Sequence, residues 1–274
     1  MGTIRRVWLV AALCSWAAVS LCTTPSFAET SRDDLATVKE RGTLIVLGWP
    51  HQESAFIRRM VAELGDEGLD RFTGLDVEIM RAWAEDLDIE LEIRPLRTSF
   101  GDLLPALLRG EGDVAMSSLS VTPAREEIVD FSRPYHEVKR MIITRRDETA
   151  STIDDLRGRA MAAVPGSSQE EALRKLGFDT VVASDFTLDS YIAVAEGRAD
   201  GTLVDSNSAA DVLARYPDLE RRLEVAIVLP EGDQYAVALR PGSTLKASLD
   251  SFLERLAASG ELDALKKIHL QPSD

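Results

Sequence analysis

Short apolar runs with β-strand character alternate with segments of helical periodicity, and this order constrains the fold more than any other feature of the chain. Alternation of that kind builds α/β layers. Residues 44–47 form a compact apolar strand. Over 75–87, Ile79, Met80, Trp83 and Leu87 recur at helical spacing, and 91–96 alternates as a strand. Residues 100–108 return to a helical pattern before a strand at 114–116. After a longer strand over 138–144 and a turn with a short helix over 152–159, a second set of units begins at Ala160. Its strands fall at 160–164, 180–183 and 201–204, with helices over 169–176 and 188–196 between them. A helix over 208–216 is expected to stop at Pro217. Strands at 223–228 and 235–240 and amphipathic helices over 245–256 and 262–268 close the pattern. One phrase occurs twice, a helix followed by a Gly-x-x-Asp turn and a strand. It stands at Gly110-Glu-Gly-Asp113 and again at Gly197-Arg-Ala-Asp200.

The N-terminus decides the compartment. Arg5 and Arg6 precede an apolar run over 7–22, and Ser26-Phe27-Ala28 offers a small-x-small exit. This reads as a cleavable secretory leader over 1–28, with the mature protein in the periplasm. The run is short for a bilayer span, which needs about 20 apolar residues. Cys14 and Cys22, the two cysteines of the chain, fall inside it. Leu21 stands where a lipidated Cys22 would want a small neighbour, so simple export is expected. The mature chain then needs no disulfide and offers no thiolate for metal or catalysis. His51, His136 and His269 lack ligand-like spacing, so no metal and no other cofactor is expected. The formal charge is −15, and losing Arg5 and Arg6 deepens it by two. That balance argues against nucleic acid or an anionic membrane as partner. It leaves room for an anionic ligand, because one buried arginine sets the field of a pocket.

Three stretches carry candidate chemistry. Ser117-Ser-Leu-Ser-Val-Thr-Pro-Ala-Arg125 follows a buried-looking strand, where α/β sheets place ligands. Thr122 and Pro123 form a helix start whose free N–H groups favour an anion, and Arg125 adds a fork matched to a carboxylate. Ser117, Ser118 and Ser120 supply hydroxyls and close backbone approach. Equally, Arg125 could pair on the surface with Glu126, Glu127 or Asp130. Ser167 and Ser168 open a helix after another strand, either as a capping box with Glu170 or Glu171 or as a second anion cradle. Asp205 ends an apolar strand, either as an N-cap or as the partner of a ligand ammonium. Arg125 and Asp205 together would match a zwitterion, since burying either charge alone is costly.

The chain also resembles the solute-binding proteins of polar amino-acid ABC importers, bacterial extracellular solute-binding protein family 3. The resemblance runs over about 42–270 and rests on Gly74-Leu-Asp-Val-Glu-Ile79, Leu103-Leu-Pro-Ala-Leu107, Gly112-Asp-Val-Ala115, Ser120-Val-Thr-Pro-Ala-Arg125, Asp130-Phe-Ser-Arg-Pro-Tyr135, and Gly197-Arg-Ala-Asp200 through Asp205. It implies a two-lobed type II periplasmic binding protein fold, its ligand cleft between lobes joined by two crossing strands near 138–143 and 228–235. The lobes would be 29–141 with the return segment 231–274, and 142–230. The implied partners are an amino acid or related carboxylate and the membrane permease of an importer, for a monomeric protein that is not an enzyme. By the same resemblance Arg125 and Ser120, with the N–H groups of Ser167 and Ser168, hold the α-carboxylate. Asp205 and Ser118 hold the α-amino group, and Phe100 is an aromatic wall where the residues alone would equally allow a core position. Family members usually place a Pro-Phe segment after the first strand. Here that region reads Gly48-Trp-Pro-His-Gln-Glu-Ser-Ala-Phe56 and continues as a helical-looking stretch to Leu64, which leaves Trp49 or Phe56 for the opposite wall. Periplasmic prephenate and arogenate dehydratases resemble the same fold, as do stand-alone sensory domains and the solute-binding domains of lytic transglycosylases. No acid beside Asp205 completes a dehydratase site in the sequence.

Overall fold

The computed structural model describes residues 34–50, 55–60, 71–179 and 181–270. The leader, both cysteines, His51 and Thr180 lie outside them. A first set of elements starts with α1 (Asp34–Arg41), β1 (Thr43–Gly48) and a small hairpin, β2 (Arg58–Met60) with β3 (Arg71–Thr73). It continues through α2 (Leu75–Asp86), β4 (Glu90–Pro95), α3 (Leu103–Leu108), β5 (Val114–Ala115), α4 (Pro123–Glu126) and β6 (Asp130–Phe131). The long strand β7 (His136–Arg145) leads to β8 (Met161–Ala163), α5 (Ser168–Lys175), β9 (Val181–Ala183), α6 (Thr187–Ala195) and β10 (Gly201–Asp205). The rest is α7 (Ser206–Arg215), α8 (Pro217–Arg222), β11 (Leu223–Tyr235), β12 (Ala238–Leu239), α9 (Leu245–Ala258) and α10 (Glu261–Leu270).

Two five-stranded sheets result, ordered β4-β1-β5-β12-β6 and β11-β7-β10-β8-β9. This is the two-lobed α/β architecture, whose layers the alternation of elements and whose two lobes the resemblance led us to expect. Each sheet contains the same parallel trio, with the first strand in the middle: β4-β1-β5 in one and β9-β8-β10 in the other. The chain therefore reverses direction across the sheet between β1 and β5, and between β8 and β10. Crevices open at the carboxyl ends of such strands. The repeated Gly-x-x-Asp phrase sits at one station in both sheets. Gly110 and Gly197 take φ of +78° and +77°, which a side chain would strain. Asp113 then accepts a hydrogen bond from the Ile45 N–H (2.8 Å), and Asp200 one from the Ala160 N–H (2.9 Å).

Apolar alternation along the strands fills both faces of each sheet. Leu44, Val46 and Val114 pack with Trp83 from α2 on one face of the first sheet, and Leu47 and Ala115 with Leu103 on the other. In the second, Ile143 and Val204 pack with Tyr191, and Ile142 and Leu203 with Leu173. Burying each large side chain contributes about 1.5–3 kcal/mol. Strands β7 and β11 pair antiparallel along their length, from Leu223 opposite Arg145 to Tyr235 opposite His136, with irregularities around residues 226 and 229–231. At its far end Tyr235 bridges back to Ser120, and its carbonyl accepts from the Tyr135 N–H (2.9 Å). The pair thus runs from the loops of the first sheet into the second.

Three local expectations change. Pro217 stops one helix but begins another, because its fixed φ and missing N–H suit the first helical position. The helical-looking stretch after Phe56 is a strand over its described part, Arg58–Met60, with 61–64 outside the described residues. Three residues are too few for periodicity to tell strand from helix. The strands expected at 223–228 and 235–240 are one long β11 and a two-residue β12.

Candidate ligand-binding cleft

The loops at the carboxyl ends of β1, β5, β8 and β10 converge on one cavity. Its lining includes Trp49 from the first, Ser117, Ser118 and Ser120 from the second, Ser167 and Ser168 from the third, and Asp205 from the fourth. Phe100, at the start of the helical turn before α3, completes the set. Eight of the nine residues singled out in the sequence therefore share one cavity wall. Arg125, the ninth, stands behind the wall rather than in it.

Arg125 is held by its own short helix. The Thr122 hydroxyl accepts from the Arg125 N–H (3.3 Å), and Pro123 fills the first helical position. The side chain turns inward, 9% exposed, with Nη1 donating to the Ser120 carbonyl (2.8 Å) and Nη2 to the Gly166 carbonyl (3.2 Å). Its Cζ lies 5.7 Å from the centre of the Phe100 ring. Among the described residues it makes no ion pair, so the surface pairing with Glu126, Glu127 or Asp130 does not form. Burial pulls its pKa downward against the raising effect of Asp233 and Glu171. A buried guanidinium served by carbonyls alone is an unbalanced charge.

Asp205 is the opposite pole. It ends β10 and precedes α7, yet its side chain does not cap that helix. Instead Oδ2 accepts from the Tyr235 hydroxyl and from Gln169 Nε2 (2.8 Å), which leaves Oδ1 buried with no hydrogen-bond partner among the described residues. The residue is 8% exposed. Burial, partly offset by the Tyr235 hydrogen bond, lifts its pKa to about 6. Above that pH the cavity holds a carboxylate with one open oxygen.

The serines are locked from behind. Ser118 takes a left-handed φ of 44°, and its N–H donates to Asp76 Oδ2 (2.7 Å). The other Asp76 oxygen accepts from the Tyr135 hydroxyl (2.7 Å). Asp76 is wholly buried, and burial outweighs both hydrogen bonds to raise its pKa to about 7. Ser167 caps α5, accepting from the Glu170 N–H (3.1 Å), while the Glu170 carboxylate takes the Gly166 N–H (2.8 Å). Of the two capping pairs, Ser167 with Glu170 forms, but the carboxylate reaches one residue before the N-cap, so the reciprocal box does not close.

The cleft is closed by contacts between the two sets of loops. Ser120 Oγ lies 2.8 Å from Ser168 Oγ, whose hydroxyl also reaches Asp233 (3.2 Å), itself paired with Arg140 (2.7 Å). Trp49 meets Phe100 edge-on at 5.5 Å and stacks on Phe186, from the loop before α6, at 5.1 Å and 25°. A Cβ on Gly166 would stand 2.7 Å from the Gly101 Cα, so glycine permits this approach. Phe56 also lines the cavity and meets Tyr235 edge-on at 5.2 Å.

Sequence reasoning missed Tyr235, Gln169, Asp76 and Phe186. Asp76 lay within a quoted landmark, and an acid among buried positions of α2 was its available signal. Tyr235 and Phe186 are ordinary apolar positions of a strand end and a helix start, with no signal in a single sequence.

The model of the bacterial extracellular solute-binding proteins, family 3, matches residues 63–272. The amino-acid-binding protein AabA of Dichelobacter nodosus is 32% identical over 200 residues, which cover 71% of this chain and 78% of that protein. The L-cystine-binding protein TcyJ of Escherichia coli K12 is 31% identical over 240 residues, covering 85% and 84%. Among solved structures, the amino acid ABC transporter substrate-binding protein AbpA of Streptococcus pneumoniae, bound to L-arginine, superposes with a TM-score of 0.75. It shares 28% identity and covers 86% of this chain and 97% of its own.

Proposed function

Because the chain belongs to the bacterial extracellular solute-binding proteins of family 3, we propose that it captures a free amino acid in the cleft and delivers it to an ABC importer. The observation that carries this reading is the open Oδ1 of Asp205, buried in a cleft behind whose wall stands a guanidinium that has only carbonyl partners. An α-ammonium group satisfies the first and an α-carboxylate the second. Both groups of a zwitterion are then matched, and neither protein charge stays unpaired.

Arg125 would exchange its longer bond to Gly166 for the ligand carboxylate, helped by Ser120 and the N–H groups at Ser167 and Ser168. Asp205 Oδ1 would take the ammonium with Ser118, and Trp49 and Phe100 would wall the rest of the ligand, with Ser117 fixing the Trp49 carbonyl (3.2 Å). Ligand bridging both sets of loops favours the closed state, which a membrane permease can then read. In this reading the chain is a binding protein and not an enzyme, acts as a monomer in the periplasm after losing residues 1–28, and divides into lobes at 29–141 with 231–274, and 142–230. Isothermal titration of the mature protein against the common L-amino acids tests it. Saturable 1:1 binding of at least one is expected, and absence of heat with every one overturns the proposal.

A further inference from the structure

The cavity does not end at the two anchors. It continues between α6 and α7, past Thr187, Leu188 and Ser190 on one side and Asn207, Ser208 and Asp211 on the other. Positions 207, 208 and 211 fall on one face of α7 by helical spacing. Among the described lining residues the charged side chains are Asp205 and Asp211, and none is a lysine or arginine. Arg125, behind the wall, balances one acid. The other acid has its cationic partner at the rim rather than in the lining.

Asp211 is that other acid. Its Oδ1 accepts from Arg215 (2.6 Å), one turn further along α7 and about a third exposed. Its Oδ2 carries no hydrogen bond among the described residues. Asp211 stands six positions after Asp205, about 9 Å along a helix. That is close to the reach of an extended lysine or arginine side chain from its α-ammonium. The intervening wall of Leu188, Ser190 and Ser208 suits a methylene stem with polar edges.

On the reading of the cleft as an amino-acid site, we infer that its substrate class is an amino acid with a cationic nitrogen at the far end of its side chain, and that Asp211 determines this specificity. The α-groups are held by Arg125 and Asp205, the stem lies between α6 and α7, and the distal cation joins Arg215 on the Asp211 carboxylate. A neutral side chain of equal length would fill the channel and leave Asp211 with its rim partner alone. It would bind more weakly because one charge-assisted hydrogen bond is missing.

Isothermal titration with L-arginine and L-lysine, against their uncharged counterparts L-citrulline and L-norleucine, reads this directly. Each cationic ligand is expected to bind at least about tenfold more tightly than its counterpart, the size of one hydrogen bond to a charged group. Asp211→Asn should erase that ratio by weakening the cationic member of each pair. Arg215→Met, which removes the rim competitor and keeps the helix, should tighten L-arginine and not L-citrulline. L-Cystine tests whether an α-ammonium can serve as the distal cation. Its loss of affinity in Asp211→Asn would support the same assignment, and indifference to the substitution would count against it. Equal affinity for charged and uncharged members of each pair, or an unchanged ratio in Asp211→Asn, overturns the specificity assignment while leaving the amino-acid site standing. If no amino acid binds at all, both fall.

Discussion

The two sheets are built alike and equipped unlike. Each carries the same parallel trio and the same Gly-x-x-Asp turn, whose aspartate ties the first strand to the third. At the carboxyl ends the likeness stops. The loop after β5 brings hydroxyls and Arg125, whereas the end of β10 brings an acid with one open oxygen, Asp205. Scaffold repetition therefore sets where a cleft opens, and on the proposed reading the residues at its strand ends decide which end of the ligand each lobe takes. A cation from one side and an anion from the other also mean that neither lobe alone can balance a zwitterion. On that reading, binding and closure become one event.

The largest effect should come from the cationic side. Arg125→Ala is expected to weaken amino-acid binding more than a hundredfold, about 3 kcal/mol, by isothermal titration. Affinity within about threefold of wild type would remove Arg125 from the site.

The anionic side should be distinguishable by pH. Asp205→Asn keeps the shape and removes the charge, so binding at pH 8 should weaken about tenfold or more. The Asp205 pKa is raised to about 6, so its binding form prevails above that pH and is lost below it. Wild-type affinity should fall as pH drops below 6 and level off near that of the Asn variant, which should follow a flatter profile. Stability of the unliganded protein carries the opposite sign. With a folded pKa above the ordinary 3.8, the group favours folding below about pH 4, and this advantage is lost as pH rises to 6. The amount is about 3 kcal/mol. Denaturant unfolding of wild type against Asp205→Asn between pH 4 and 8 should show it, and a constant difference would place the Asp205 pKa near its ordinary value.

The smallest effect concerns the seam between the two sets of loops. Phe186 is 42% exposed, and its stack on Trp49 links them directly. Phe186→Ala should cost about 1 kcal/mol of closure, a few-fold in affinity. Ligand-induced quenching of tryptophan fluorescence should shrink with it. An unchanged signal and affinity would mean that closure does not use the stack.

Much of this was legible because it is local. Strand and helix periods, the glycine turns, the Thr122-Pro123 helix start and the Ser167 cap depend on neighbours a few residues away, and the structure keeps them. Errors fell where local signals are weakest: a three-residue strand at Arg58–Met60, and Pro217, which can end one helix and begin the next. In the site, eight of the nine chosen residues reached one cavity wall, since strand ends of an α/β sheet must point there. Tyr235, Asp76 and Phe186 stayed hidden because each acts on a partner at least 30 residues away: Asp205, Ser118 and Trp49.

By itself, then, the sequence determined the order of elements, the turns that end them and the loops that carry Arg125 and Asp205. Covalent neighbourhood and helical or strand periodicity set these without reference to distant parts of the chain. Tertiary structure alone decided which of two local fates each charge met. Asp205 did not cap α7, because Tyr235 and Gln169 draw one oxygen aside and burial leaves the other open. Arg125 did not pair with its acidic neighbours, because packing against Phe100 and the carbonyls of Ser120 and Gly166 turned it inward. Both outcomes depend on residues far apart in the chain, brought together where the loops of two similar sheets meet.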